Sequence, residues 1–184
     1  KESLASVREY LGCFQVHEEF LALDVDAYVE ALRAKGEELT LQELKNEEAK
    51  AKKELGELRE SIPSSKVVCI ALVNCSKVRE KLLAKKERQV KLLQELIAYV
   101  PKQTMQAISK KFTDINLELK KSCNTIEEVD AMRKYIEDLP RVLLELRQEV
   151  AATKDWYKAL TDLRYTLPEE DFRDKEKGEG WHMK

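Results

Sequence analysis

The sequence predicts an all-α protein made of elongated helical bundles with coiled-coil-like heptad packing. Only 5 Gly and 4 Pro occur among 184 residues, 37% of the residues are charged and 7% are aromatic. This composition is typical of long helices and not of sheets. In addition, long stretches place apolar residues at alternating steps of three and four, which is the repeat of a coiled-coil seam.

Residues 1–62 are predicted to form the N-terminal helical segments. Asp24 or Asp26 can cap one of these helices, and Gly36 can end it. The next helix keeps the heptad repeat only if Glu48 occupies one seam position. Its apolar seam residues are Leu41, Leu44, Ala51, Leu55, Leu58 and Ile62.

Residues 63–75 are predicted to connect two helical parts, because Pro63 cannot continue a helix. The β-branched stretch VVCIALV at 67–73 fits either a short strand or an extended connector. A single strand would need a partner strand, and none is evident elsewhere in the chain. The same stretch is the longest apolar run, and it is too short to cross a bilayer.

Residues 76–123 are predicted to form one long helix, with Ser76 as its N-cap and a kink near Pro101. The three-four alternation of apolar residues is present on both sides of the proline. Before it stand Val90, Leu93, Ile97 and Val100, and after it stand Met105, Ile108, Phe112, Ile115 and Leu119.

Residues 124–167 are predicted to form a second long helix that contains Pro140. Asn124 or Thr125 can cap it, and Glu127 and Glu128 stand in its first turn, where the helix dipole favours acidic groups. The helix-packing seam is predicted to consist of Val129, Met132, Ile136, Leu139, Leu143, Leu146, Val150, Thr153, Tyr157 and Leu160. Because the seam keeps its phase through Pro140, we expect one bent helix.

Residues 168–184 are predicted to be a loop, because Pro168 ends the helix and the remainder is mostly polar. Trp181 is the exception, and its large ring requires a surface to pack against. The chain begins with Lys1 and ends without a tail composition. We therefore interpret it as a piece of a longer polypeptide.

Charge patterning indicates a protein partner. The chain carries 33 basic and 35 acidic residues, for a net charge of −2, and the two signs are interleaved. Nucleic acid or an anionic membrane would require a basic face, and none is evident. We therefore expect neither nucleic acid nor membrane binding.

No motif for catalysis or cofactor binding is present. The sequence lacks phosphate-binding glycine loops and the HExxH, GxSxG and EF-hand patterns. The cysteines at 13, 69, 75 and 123 form no CxxC pair, and His17 and His182 are not at metal-ligand spacing from them. We expect free thiols, no metal, no cofactor and no catalytic residues in this segment.

The order of four segments resembles one family. EEFLALDVDAYVEAL, IPSSKVVCIALVNCSKVREKLLAKKERQVKLLQELI, NTIEEVDAMRKYIEDLP and LRYTLPEEDFRDKEKGEGW follow one another from about residue 14 to the end. Together they resemble the distal stem of dynein heavy chains, axonemal ones in particular, just before the linker. The resemblance implies that residues 168–184 lead toward the linker and that Phe172 and Trp181 pack near it.

The resemblance implies a non-catalytic stem segment of an AAA+ microtubule motor. Such a stem transmits force between the motor with its linker and the anchor on the doublet microtubule, in the axoneme of a cilium or flagellum. Its implied partners are dynein intermediate and light chains and other heavy chains. ATP and Mg²⁺ would belong to the motor region of the parent protein.

Two alternatives follow from the residues alone. The heptads would equally suit a stand-alone coiled-coil or spectrin-like scaffold protein. An enzyme or metal protein that uses the scattered cysteines and acidic residues is the other alternative, and the missing motifs argue against it.

Overall fold

The chain is helical in nearly all of its described part. A computed structural model describes residues 2–35, 39–68 and 71–180. In these ranges the elements are α1 Glu2–Gln15, α2 Glu18–Ala22, α3 Val25–Ala34, α4 Leu41–Ser61, β1 Ser65–Val68, β2 Ala71–Asn74, α5 Ser76–Leu119, α6 Ile126–Asp162 and α7 Glu169–Gly180. The predicted all-α fold class is confirmed.

Helix α3 is capped by Asp24, one of the two residues that the sequence offered. Its Oδ1 atom accepts hydrogen bonds from the backbone N–H groups of Asp26 at 3.0 Å and Ala27 at 3.2 Å. The helix ends at Ala34, and Gly36, which was expected to end it, lies outside the described residues.

The connector 63–75 contains a β-hairpin, which neither of the two sequence interpretations included. Strands β1 and β2 are antiparallel, with Ser65 opposite Asn74 and Val68 opposite Ala71. Both strands therefore overlap the apolar stretch at 67–73. A hydrogen bond of 2.9 Å from the N–H of Cys75 to the carbonyl of Ser64 joins the two ends of the hairpin.

Helix α5 begins at Ser76, but Ser76 is not its cap. Ser76 is the first helical residue, and the Oδ1 atom of Asn74 accepts a 2.9 Å hydrogen bond from its N–H. Asn74 thus satisfies a donor at the helix start that the helix itself leaves without a partner. Pro101 lies inside the helix, which continues through it to Leu119.

The expected loop over residues 168–184 is wrong for its described part, since Glu169–Gly180 forms helix α7. Glu169, Glu170 and Asp171 occupy its first turn, where acidic groups are favoured by the helix dipole. The segment has few apolar residues, so no apolar periodicity indicated a helix. Polar contacts with α5 stabilise it instead. Lys102 Nζ lies 2.6 Å from Asp171 Oδ1, and Gln106 Nε2 donates to Asp174 Oδ2 at 3.0 Å.

The chain divides into two compact units, Lys1–Leu96 and Ile97–Lys184. In the first unit, Leu58, Ile62 and Leu82 form a buried cluster against which Phe14, Phe20 and Leu83 pack. The predicted α4 seam is buried at Leu44, Ala51, Leu58 and Ile62, and Glu48 is only 1% exposed. Glu48 therefore does occupy a seam position.

The second unit has its own core, formed by α6 and the part of α5 that follows Leu96. Its large, fully buried apolar side chains include Ile97, Met105, Ile108, Leu146 and Leu160. Helix α7 approaches this core at Gly178, where a Cβ atom would lie only 2.5 Å from the Sδ atom of Met105. An alanine at position 178 would therefore require the Met105 side chain to shift.

Candidate protein-interaction surface

Helix α6 starts at a capping box. Thr125 Oγ1 accepts a 3.2 Å hydrogen bond from the N–H of Glu128. In return, Glu128 Oε2 accepts hydrogen bonds from the N–H groups of Asn124 at 2.7 Å and Thr125 at 3.2 Å. Thr125 is therefore the cap, and the Glu128 carboxylate satisfies the backbone N–H groups of Asn124 and Thr125.

The predicted seam of α6 is divided into a buried half and an uncovered half. The C-terminal half is buried and comprises Leu146, Val150, Thr153, Tyr157 and Leu160. In the N-terminal half, Val129 is 55% exposed and Ile136 is 50% exposed. Met132, Leu139 and Leu143 are half-buried. The three-four spacing of apolar residues is continuous along α6, but the described residues cover only part of this apolar stripe.

A groove runs along the uncovered half of the stripe. It has a volume of about 430 Å³ and is lined by Cys123, Val129, Met132, Arg133, Ile136 and Glu137. We call it the α6 groove. Further exposed apolar residues lie on the adjoining ends of α5 and α6, namely Leu117, Leu119 and Ile126. An apolar surface with a polar rim of this kind is characteristic of protein-interaction sites.

Pairs of oppositely charged side chains border the α6 groove. Arg133 Nε lies 3.1 Å from Glu137 Oε1, and Lys134 Nζ lies 2.8 Å from Asp130 Oδ2. One turn further on, the hydrogen bond from the Arg141 guanidinium lowers the pKa of Asp138. Such exposed pairs contribute little to stability. They leave the surface electrically balanced, which suits a protein partner better than a polyanion.

Pro140 lies beside the exposed part of the seam. It is inside α6, which continues through it to Asp162. Because proline has no N–H, the helix lacks the hydrogen bond that residue 140 would donate to the carbonyl of Ile136. The local break in the hydrogen-bond ladder thus coincides with the exposed half of the seam.

Of the two residues expected to pack near the linker, only Phe172 lies in the described part of the chain. Phe172 is 47% exposed on α7, although Asp171 next to it is buried against Lys102. Trp181 lies outside the described residues.

A polar cavity in the first unit was not foreseen from the sequence. Its volume is about 320 Å³, and its walls include Phe20, Tyr28, Glu47, Lys86 and Gln89 from helices α2 to α5. The residues come from four separate segments with no shared spacing, so no motif could have identified them. We call it the α2–α5 cavity.

Within the described ranges, no group of three or more His, Cys, Asp and Glu side chains could hold a metal ion. Cys75 and Cys123 are not in disulfides. In the same ranges, no helix combines the length and the apolar character needed to span a membrane.

Comparison with known proteins points to one group. No family model matches the chain. Over 127 residues, or 69% of the chain, it is 24% identical to dynein axonemal heavy chain 1 of Homo sapiens and, over the same length, 24% identical to that of Mus musculus. The chain spans 3% of the length of each of these proteins. It is therefore distantly similar to a short region of axonemal dynein heavy chains, in agreement with the resemblance of its four segments.

Proposed function

We propose that this chain is a non-catalytic stem segment of an axonemal dynein heavy chain, and that it packs against neighbouring helical parts through the α6 groove. The observation that carries the proposal is the 24% identity over 127 residues to dynein axonemal heavy chain 1. The order of the four sequence segments supports the placement in the stem, just before the linker.

The uncovered half of the α6 seam supports a role in packing. Val129, Met132 and Ile136 continue the same stripe that is buried further along the helix at Leu146 and Val150. A stripe with this period is suited to a helix from another part of the assembly. Its covering segment comes either from the parent heavy chain or from an associated dynein subunit.

The lengths of the two main helices suit force transmission. Helix α5 has 44 residues and α6 has 37, which correspond to about 66 Å and about 55 Å at 1.5 Å per residue. Long packed helices resist bending, and Pro101 and Pro140 would set fixed angles in them. In the proposed role, the segment transmits force between the motor with its linker and the doublet-microtubule anchor.

The proposed role defines partners and location. Dynein intermediate and light chains and other heavy chains are the expected protein partners, and the doublet microtubule is reached through them. The site of action would be the axoneme of a cilium or flagellum. ATP and Mg²⁺ would be bound by the motor region of the parent protein, with no part taken by this segment.

The test is to capture the endogenous protein with an antibody raised against residues 124–184. We expect a polypeptide far larger than the 21.3 kDa of this chain, with ATPase activity and co-purifying small chains. Blocking the antibody with the same fragment should remove all three signals. A band near 21.3 kDa without ATPase would contradict the proposal and favour a stand-alone helical scaffold.

A further inference from the structure

Helix α7 docks without a large apolar side chain among its described residues. The buried residues in this part of the helix are Asp171 and Gly178, and Phe172 is 47% exposed. Asp171 is held by the ammonium of Lys102, which is a polar contact. A surface helix ordinarily packs on its core through an apolar stripe. An apolar side chain just beyond the described end of α7 would complete its docking.

A cavity lies at the C-terminal end of α7, within the second unit. Its volume is about 220 Å³. The residues that line it are Phe112 on α5, Arg147, Val150, Ala151 and Lys154 on α6, and Gly178 on α7. We call it the α7 cavity. Since an apolar cavity of about 150 Å³ can hold a benzene ring, the α7 cavity has room for a larger aromatic ring.

The walls of the α7 cavity suit an indole ring. Phe112 contributes an aromatic ring, and Val150 and Ala151 contribute aliphatic surface. Two cations on exposed residues, Arg147 and Lys154, stand at its rim. A cation is attracted to the face of an aromatic ring, and tryptophan gives the strongest contact of this kind. The exposed rim also lets the indole N–H keep a water partner.

The sequence places a tryptophan beside this cavity. Trp181, which lies outside the described residues, directly follows Gly180 at the end of α7. Even in a fully extended chain, the three steps from Gly178 to Trp181 span only about 11 Å. Asp171 and Gly178 are about two helical turns apart, so the buried face of α7 continues at position 181 or 182.

We propose that Trp181 of the same chain occupies the α7 cavity and anchors α7 to α5 and α6. The indole supplies the apolar contact that the described part of α7 lacks, and Arg147 and Lys154 bind its face from the rim. Trp181 then packs within this segment and not on the linker. The inference does not depend on the proposed function, because it uses only residues of the second unit.

The test is the fluorescence of Trp181 in the full 184-residue chain, with Trp156→Phe as the background that removes the other tryptophan. We expect emission at shorter wavelength and weaker quenching by acrylamide than for the same chain unfolded in urea, because the ring is shielded from water. Both values should stay constant on dilution. Emission typical of an exposed ring would overturn the proposal. Protection that is lost on dilution would also overturn it, since the ring would then occupy a second copy.

Two substitutions on α6 assign the ring to the cavity. Ala151→Phe places a ring in the same space, so it should shift the emission of Trp181 to longer wavelength and increase quenching. Ala152→Phe is the matched control, because Ala152 is also exposed on α6 but does not line the cavity. It should leave both values unchanged. Equal effects of the two substitutions would overturn the assignment.

Trp181→Ala tests the anchoring of α7. Hydrogen exchange of the α7 amides should accelerate in this variant, whereas His182→Ala, at the next position, should leave it unchanged. Unchanged exchange in Trp181→Ala would overturn the anchoring role. If Trp156→Phe fails to fold, fluorine NMR of the unmodified chain labelled with 5-fluorotryptophan measures the same exposure, and Trp181→Phe assigns the signal.

Discussion

The buried carboxylate of Glu48 accepts a 2.7 Å hydrogen bond from the side-chain amide of Gln94 and thereby links helices α4 and α5. Lys52 Nζ lies 2.6 Å from the same oxygen atom of Glu48. A charged group thus occupies a seam position between Leu44 and Ala51, both of which are buried. Its burial is tolerated because both neighbours donate to it.

Gln94→Leu should destabilise the chain by about 1–3 kcal/mol, because it leaves the buried Glu48 carboxylate without one of its donors. The double variant Glu48→Leu/Gln94→Leu should recover most of this loss, since an apolar pair can replace a buried polar one. Urea unfolding measures both. Gln42→Leu is the control, because the 3.0 Å contact of Gln42 with Asn46 is exposed. If Gln94→Leu changes stability no more than the control, the hydrogen bond has no structural role.

Tyr10 should make stability fall at alkaline pH. Burial raises the pKa of this phenol above its ordinary value of 10.0, and the neighbouring Cys75 raises it further. The folded state therefore holds the proton more tightly than the unfolded state. Its contribution is fully present below pH 10 and is lost as pH rises through the higher pKa of the folded state.

Tyr10→Phe should reduce this alkaline loss. At neutral pH it should cost about 1 kcal/mol, because the 3.2 Å hydrogen bond from the Tyr10 hydroxyl to the carbonyl of Pro63 disappears. The measurement is the free energy of unfolding from pH 8 to 11, with Tyr135→Phe as a control that retains the loss. An identical pH profile for Tyr10→Phe and the unmodified chain would refute the assignment.

The two halves of the α6 seam should respond differently to substitution. Ile136→Gln should change the free energy of unfolding of this chain by less than about 0.5 kcal/mol, because the side chain is 50% exposed. Leu146→Ala should cost about 2–5 kcal/mol, because Leu146 is 1% exposed. Chemical denaturation of the two variants tests this contrast. A large loss with Ile136→Gln would show that the α6 groove is already covered in the isolated chain.

Gly178→Ala should weaken the docking of α7. The new Cβ atom would lie 2.5 Å from the Sδ atom of Met105, which is fully buried. The overpacking costs about 1–3 kcal/mol, and the better helix propensity of alanine returns about 1 kcal/mol. Hydrogen exchange of the α7 amides should therefore accelerate.

Gly56→Ala is the matched control, because a Cβ atom at Gly56 in α4 would meet nothing within 4 Å. It should stabilise the chain by about 0.5–1 kcal/mol. Equal effects of the two alanines would mean that the contact of Gly178 with Met105 does not restrict the position of α7.

Pro140→Ala should stabilise α6 by up to about 3 kcal/mol, because it restores the hydrogen bond to the carbonyl of Ile136. If Pro140 sets a fixed angle in the helix, the variant should also straighten it, and small-angle scattering should report the change. Pro101→Ala is a less favourable comparison, since the ring of Pro101 is buried and its removal leaves a cavity. An unchanged scattering profile for Pro140→Ala would contradict the fixed angle.

Local chemistry and periodicity predicted most of the helices. Thr125 and Asp24 were each one of two candidate caps, and the α4 seam through Glu48 was predicted, because caps and heptads depend on residues a few positions apart. The return hydrogen bonds to the Glu128 carboxylate were not foreseen. The hairpin was not foreseen, because β1 and β2 have only four residues each and divide a single apolar run. Helix α7 was missed because contacts to Lys102 and Gln106 on another helix stabilise it.

Periodicity predicted the apolar face of α6 but not its degree of burial. Ile136 and Leu146 have equivalent seam positions in the sequence, yet one is half exposed and the other is fully buried. The difference depends on which helix lies opposite, and that is a tertiary property. The α2–α5 cavity was invisible for the same reason, since Gln89 looks like an ordinary polar position of a long helix.

Arg79 joins the start of helix α5 to the end of helix α4. Its Nε atom donates to the carbonyl of Ile62 at 2.7 Å, and its Nη2 atom donates to the carbonyl of Arg59 at 3.1 Å. These bonds tie the start of α5 to the end of α4 independently of the hairpin between them. Since the entropy of closing a loop grows only slowly with its length, extra residues between positions 68 and 71 would leave the helix junction intact. The hairpin is therefore the place to insert an epitope or a fluorescent reporter without disturbing the junction of α4 and α5.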